Sequence, residues 1–437
     1  MFSSLYHVLM QADSVFWSYV AFVLIIFLGC YLTFATRFFQ IRAFPSIVST
    51  FTHYLFNRTV NERGVHPLKA FFASVGGMIG IGNIVGIVTA VQFGGPGALV
   101  WVWVAMVFGT IIKYSEIYLG IKHRVPNLQA GFDGGPIYFL KHAFKSPWIP
   151  SFVGLLLCIY GVEIYQFTVI TESVASNWDI NKFVVIPLLL ASILYASIGG
   201  VSRIGKICGI VMPVFLVLYL SMGTWVIFQE AAALPEILAL VWKSAFTGHA
   251  AVGGFAGSSV FLAIQHGISR AAYSADLGIG YDSIIQSESN TVHPERQARL
   301  AILGICIDNV ICTMSILLVL LTGVWKLDVP IPGSHLVQTA LSYHFPYMHI
   351  FMPTFFFILG YTTVIAYFCV GIKCARFLHP RYGVPIYLSY AVLAWVFFTF
   401  FDQSHALLVM SLAGALLLII NLLGIFRLRH HIEFLKE

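Results

Sequence analysis

The sequence predicts an all-α integral membrane protein with about eleven membrane-spanning helices. Three observations lead there. Of the 437 residues, 59% are hydrophobic and 10% charged, with mean hydropathy +0.87; soluble domains carry about 25% charged residues and cannot present such a surface to water. Apolar residues recur in runs of about 20, the length a helix needs to cross a bilayer. The runs are continuous rather than alternating, and in lipid every backbone group must be satisfied internally, so a helix bundle is favoured over a closed barrel.

The spans are expected near residues 14–35, 71–93, 97–120, 150–171, 183–200, 207–228, 250–268, 298–325, 348–372, 384–401 and 404–426. Between the first two lie Arg37, Arg42, Arg58, Arg63 and Lys69. Further basic loops hold Lys122, His123 and Arg124; Arg203 and Lys206; Arg270, Arg296 and Arg299; Lys373 and Arg376; and the tail adds Arg427 and Arg429. If the helices alternate, all of these fall on one side, whereas the loop around Glu230 and Glu236 is poor in Lys and Arg. The positive-inside rule then places the N-terminus outside and the C-terminus in the cytoplasm of a cell (inner) membrane. The net charge of +6 reports that orientation, not nucleic-acid binding. No basic n-region or cleavage site precedes the first apolar run, so it is expected to be retained. Cys30, Cys158, Cys306, Cys312 and Cys369 lie inside apolar runs and read as small buried residues, not as disulfides or metal ligands.

Polar punctuation inside the spans is uneven. The second reads FFASVGGMIGIGNIVGIVTAV, with five glycines from Gly76 to Gly86; the seventh reads AAVGGFAGSSVFLAI, with Gly253, Gly254 and Gly257. Each glycine lowers helix propensity by about 1 kcal/mol relative to alanine. Glycines on one face can form a packing stripe, but these are nearly consecutive, and Asn83 and Ser258–Ser259 add polar groups at mid-depth. Two interrupted helices near the starts of two halves point to a transporter with inverted repeats, about 71–228 and 250–426, around a central site.

Strings along most of the chain carry a resemblance: GNIVG from Gly82, GGPGA followed by WVW from Gly94, GGPIYFLKHAF from Gly134, GGVSRIGKI from Gly199, GGFAGSS from Gly253, HPERQ from His293, IDNVICT from Ile307 and YTTVIAY from Tyr361. In this order they resemble the alanine or glycine:cation symporter family, within the amino acid-polyamine-cation superfamily. The resemblance implies a five-plus-five inverted repeat preceded by one extra helix. It also implies sodium-coupled uptake of glycine or D- or L-alanine by alternating access.

Carried onto this sequence, the superfamily's G-x-G-N string reads Gly80-Ile81-Gly82-Asn83, and the N–H groups of Ile81 and Gly82 would face the substrate carboxylate. A broken helix supplies such unpaired donors and the positive end of a half-helix dipole. Carbonyls of Gly76 and Ile79 and the hydroxyls of Thr362 and Thr363 would hold sodium; the competing role for the threonines is bonding back to the preceding turn. Gln166 resembles a family glutamine that contacts substrate. Tyr367, where the family usually has tryptophan, would wall the pocket, and Phe255 beside the seventh-helix break is a candidate lid. For each, interhelical packing is the competing role.

Glu163 and Asp308 are acids at membrane depth, where ionisable groups default to functional candidates. They leave open a proton-coupled permease of the same fold. A transporter-like sensor that binds amino acids without moving them is a further alternative, and an enzyme is disfavoured because no nucleophile elbow or metal-spaced histidine set is present. No cofactor beyond the coupling ion is expected. Partners are the amino acid, sodium or a proton, and lipid. The chain departs from the family at Tyr273–Gly280, which reads YSADLGIG in place of F-S-N-E-A-G-x-G and is expected in the cytoplasmic gate. It departs also at Ile81, usually threonine, and at Met78, where a smaller polar residue is usual.

Overall fold

The computed structural model describes residues 2–56, 63–127, 130–247, 260–326, 333–401 and 403–434, with side chains from Leu5 onward apart from that of Ser334. It is almost entirely helical. In chain order the helices are α1 (Phe2–Val15), α2 (Ala21–Ala35), α3 (Phe39–Arg42), α4 (Phe44–Phe56), α5 (Pro67–Met78), α6 (Thr89–Gly94), α7 (Ala98–Lys122), α8 (Pro136–Phe144), α9 (Trp148–Tyr160) and α10 (Ile164–Trp178). They continue as α11 (Lys182–Ile198), α12 (Gly200–Gln229), α13 (Leu234–Thr247), α14 (Val260–Ser274), α15 (Tyr281–Gln286), α16 (Pro294–Leu321), α17 (Gly333–Ser342), α18 (Met348–Leu378), α19 (Gly383–Phe400) and α20 (Ser404–Arg427).

Among the described residues, eight stretches are long and apolar enough to cross a bilayer, counting α1–α2 and α9–α10 as one each, and α11 is a shorter apolar helix. The second expected span corresponds to α5–α6, and the described part of the seventh lies in α14. Large apolar side chains point outward: Phe183, Ile210, Phe228 and Leu393 are at least 70% exposed. Surface of this kind suits acyl chains and would aggregate in water. Helices that sequence periodicity alone left in loops, α4, α8, α13 and α17, lie between the spans.

Local chemistry sets the element ends. Pro67 opens α5, and the His66 imidazole accepts the Leu68 N–H at 3.3 Å, filling a donor that the first turn leaves free. Pro136 and Pro294 likewise open α8 and α16, where a missing N–H costs nothing. Asn181 caps α11 through Phe183 N–H at 2.9 Å. Around the interior, α7 packs on α16 and α14, and α12 on α5; α18, in the middle of the bundle, buries most of its length.

Candidate functional site

The second span is interrupted as its glycines predict. After Met78 the chain becomes extended at Ile79 (φ −84°, ψ 94°) and Gly80 (φ −116°, ψ −167°). It then makes one tight turn over Ile81–Asn83, and resumes as α6 only at Thr89. The Asn83 side chain stabilises the break, its Oδ1 accepting the Gly80 N–H at 3.0 Å where a helical carbonyl would otherwise stand. Asn83 is itself held by the Asp308 carboxylate through Nδ2, and its carbonyl accepts from Ser315 Oγ at 2.8 Å. Ser274 Oγ donates to the same carboxylate at 3.2 Å. Asp308 therefore ties α16 and the end of α14 to the break.

The Ile81 N–H donates to Gln166 Oε1 of α10 at 3.3 Å. A side-chain carbonyl thus occupies the position that the family resemblance implies for a substrate carboxylate. The Ile81 side chain is fully buried beside Gly360 and Ile170 of the neighbouring helices. Gly80 has no room for anything else: a Cβ there would lie 2.8 Å from Thr363 Oγ1 and 3.0 Å from Gln166 Nε2. Loss of a side chain is what lets two helices and the broken backbone meet.

Gly80, Gly82, Asn83, Gln166, Thr363 and Tyr367 line one small cavity of about 30 Å³, together with Met78 and Glu163. Thr363 is buried and its hydroxyl has no hydrogen-bond partner among the described residues, as expected of a group kept for a ligand. The Tyr367 ring is stacked on Tyr281 at 4.1 Å, and Tyr281 donates to Ala73 carbonyl oxygen at 2.9 Å, so the wall is braced from below. The small cavity shares Gly82, Tyr160, Glu163 and Tyr273 with a vestibule of about 690 Å³. The vestibule is lined by the last turn of α1, the start of α6, α14 and the first turns of α20, between Asp13, Thr89, Arg270 and Ser411. Phe255 and the seventh-helix break fall outside the described residues.

Of the residues assigned to sodium, Gly76 and Thr362 are neighbours: a Cβ at Gly76 would lie 3.5 Å from that of Thr362. The Thr362 hydroxyl bonds back to Ile358 and Leu359 carbonyls at 2.9 and 3.0 Å. That is the competing role named above, and it leaves the oxygen's lone pairs available. Thr363, the next residue, faces the small cavity. No backbone N–H among the described residues bonds to the Gly76 or Ile79 carbonyl, as the break requires.

The opposite end is shut. Lys113 of α7 is buried and pairs with Asp282 of α15; it also donates to the Asp276 carbonyl at 2.6 Å. Asp282 accepts from Ser74 of α5. Gln286 donates to Ser74 Oγ at 2.9 Å, and Gln297 to Gln286 Oε1 at 2.9 Å. The departing segment YSADLGIG threads through here with left-handed turns at Asp276, Gly278 and Gly280. Just beyond the span, Arg124 donates to the carbonyls of Ser287, Ser289 and Thr291 at 2.6–2.9 Å; burial lowers its pKa to about 10.

A broken helix over a small polar cavity, reached from one end of a helical bundle and sealed at the other, is transporter geometry. The family model described as the sodium:alanine symporter family matches residues 2–436. The chain belongs to this family. It is similar to a sodium/alanine symporter, AgcS, of Methanococcus maripaludis (27% identity over 95% of this chain and 93% of that one). It is also similar to a probable sodium/glutamine symporter, GlnT, of Bacillus subtilis (28%, 97% and 88%). An uncharacterized transporter of Haemophilus influenzae shares 29% identity over 97% of this chain and 93% of its own. Among solved structures, a manganese transporter of Eremococcus coleocola shares the fold, with TM-score 0.50 at 15% identity over 80% of this chain and 74% of that one. Family members and structural neighbours alike are transporters, not enzymes.

Two features of the family member's site escaped sequence reasoning. The fourth span was expected to be continuous over 150–171, but it breaks at Gly161–Glu163 between α9 and α10. Tyr273 and Asp276 close the small cavity from the departing segment. The signal available for the first was Gly161 beside an intramembrane acid; for the second there was none beyond the altered motif.

Proposed function

We propose that this symporter-family chain imports a small neutral amino acid, alanine or glycine, together with sodium, by alternating access. The observation that carries the reading is the break at residues 79–88, whose unpaired backbone groups border a cavity of only about 30 Å³. That volume holds about two waters, less than any amino acid, so the substrate enters as Gln166 withdraws, and the close walls favour a short side chain. The substrate carboxylate takes the donors of Ile81 and Gly82, displacing Gln166, and Thr363 supplies a hydroxyl. Sodium sits against the carbonyls of Gly76 and Ile79 with Thr362 and Thr363, where hard oxygen donors suit it. Binding there favours the vestibule-open state because a ligand shifts an equilibrium only through differential affinity.

With the N-terminus outside, as the basic loops indicate, the vestibule faces the exterior and the Lys113–Asp282 cluster closes the cytoplasmic side. The two halves, 71–228 and 250–426, then move against one another. The similarity to a sodium/alanine symporter and to a probable sodium/glutamine symporter frames the substrate range. Uptake of labelled glycine, L-alanine and D-alanine into proteoliposomes tests the reading. A sodium gradient should drive accumulation and a pH gradient alone should not; the reverse result transfers the coupling to protons.

A further inference from the structure

The break in the fourth span places an acid where the backbone is strained. Glu163 adopts a left-handed conformation (φ 51°, ψ 50°), which costs about 1–2 kcal/mol for a residue with a side chain. Such outliers persist where surrounding structure holds them for a purpose. The surroundings here do so: the freed Val162 carbonyl accepts from Trp395 Nε1 at 2.7 Å, and Gly161 lies against the Tyr367 backbone, where a Cβ would come within 2.9 Å of its carbonyl oxygen. Glu163 is 7% exposed, and its carboxylate makes no hydrogen bond or ion pair among the described residues, whereas Asp282 and Asp308 are both partnered. It lines the vestibule and the small cavity at once.

Gln166, one turn further along α10, is the group bonded to the Ile81 N–H. Glu163 stands just before the helix, and it and Gln166 line the same cavity of about 30 Å³. An α-amino acid that replaces Gln166 at Ile81 therefore brings its ammonium group within hydrogen-bonding reach of Glu163. Other charges face this space: Asp13, His266 and Arg270 around the vestibule and Asp276 in the small cavity. Arg270, the cation among them, forms no ion pair with Glu163.

We propose that Glu163 is the counter-charge for the substrate's α-ammonium group, so that the site selects a zwitterion over a plain carboxylate. This rests on the symport reading of the same site. An unpaired buried carboxylate is costly, and a cation that arrives with the substrate removes that cost only when the substrate is bound. The same chemistry could be met by the side-chain ammonium of a dibasic amino acid. The small cavity argues for the α-ammonium of a short one.

The test is equilibrium binding to the purified full-length protein in detergent, at fixed sodium, with L-alanine, propionate and L-lysine as probes. Wild type, Glu163→Gln, Glu163→Asp and the exposed control Glu236→Gln are compared. Wild type should bind alanine at least 30-fold more tightly than propionate and more tightly than lysine. Glu163→Gln should lose at least 30-fold for alanine and nothing for propionate, Glu163→Asp should fall between, and Glu236→Gln should match wild type. The proposal is overturned if Glu163→Gln, eluting as a single species, binds alanine within twofold of wild type. Equal wild-type affinity for propionate and alanine overturns it without any variant, and a preference for lysine assigns the carboxylate to a side-chain cation instead. Wild type that binds no amino acid defeats the symport reading itself, a distinguishable result.

Discussion

Replacing Gly80 by alanine isolates the crowding at the broken helix from every backbone effect. The Gly80 dihedrals (φ −116°, ψ −167°) are extended and open to alanine, so no strain enters through the main chain. The new methyl would sit 2.8 Å from Thr363 Oγ1 and 3.0 Å from Gln166 Nε2, against a comfortable separation of about 3.5 Å. Both side chains must retreat by roughly half an ångström, out of a cavity whose whole volume is about 30 Å³. Overpacking of this kind costs about 1–3 kcal/mol, equivalent to about 5- to 150-fold in affinity. Since the methyl occupies ligand space, the loss should fall on substrate binding and be larger for alanine than for glycine. Titration of both amino acids into the detergent-purified variant reads this directly, with the melting temperature as a check on folding. A variant that folds and binds alanine as tightly as wild type would show that the substrate lies elsewhere.

Further outcomes follow from the same geometry. Thr363→Val removes a buried hydroxyl without a partner; the variant should melt no lower than wild type while sodium stimulation of uptake disappears. Lys113→Met leaves Asp282 buried without its cation, a loss of about 3–5 kcal/mol for a broken buried pair. It should open the sealed end, read as faster labelling of cysteines introduced there, and a Lys113→Met/Asp282→Asn double variant should restore protection in part. Trp395→Phe strands the Val162 carbonyl at about 1–3 kcal/mol and should lower the melting temperature and weaken alanine binding together. Just past the α7 span, His123 stacks on His142 at 4.5 Å, and burial followed by its histidine neighbours lowers its pKa to about 4. A lowered histidine pKa means the unfolded chain binds the extra proton, so this contribution is present above about pH 6.5 and lost as pH falls toward 4. His123→Gln should flatten that acid-side drop in thermal stability.

Much of this was legible in the residues. The glycines clustered between Gly76 and Gly86 weaken a helix, and the break follows Met78; Gln166, Thr363 and Tyr367 come to its rim. What the sequence hid depends on partners distant in the chain. Nothing near Glu163 announces that Trp395, in α19, will accept the burden of a freed carbonyl and so permit a left-handed acid in the fourth span. Likewise Tyr273–Gly280 reads as a gate segment with an altered motif, but nothing in it announces that Lys113 and Ser74 of other helices will meet Asp282 beside it. The threonine pair divided: adjacent residues on a helix point about 100° apart, so Thr363 meets the cavity while Thr362 turns toward Gly76.

The most direct test is a density map of the protein with L-alanine and sodium bound. The alanine carboxylate is expected within hydrogen-bond distance of the Ile81 and Gly82 N–H groups, with the Gln166 side chain swung away from Ile81. An intact Gln166–Ile81 bond, with alanine seated elsewhere in the bundle, would contradict it.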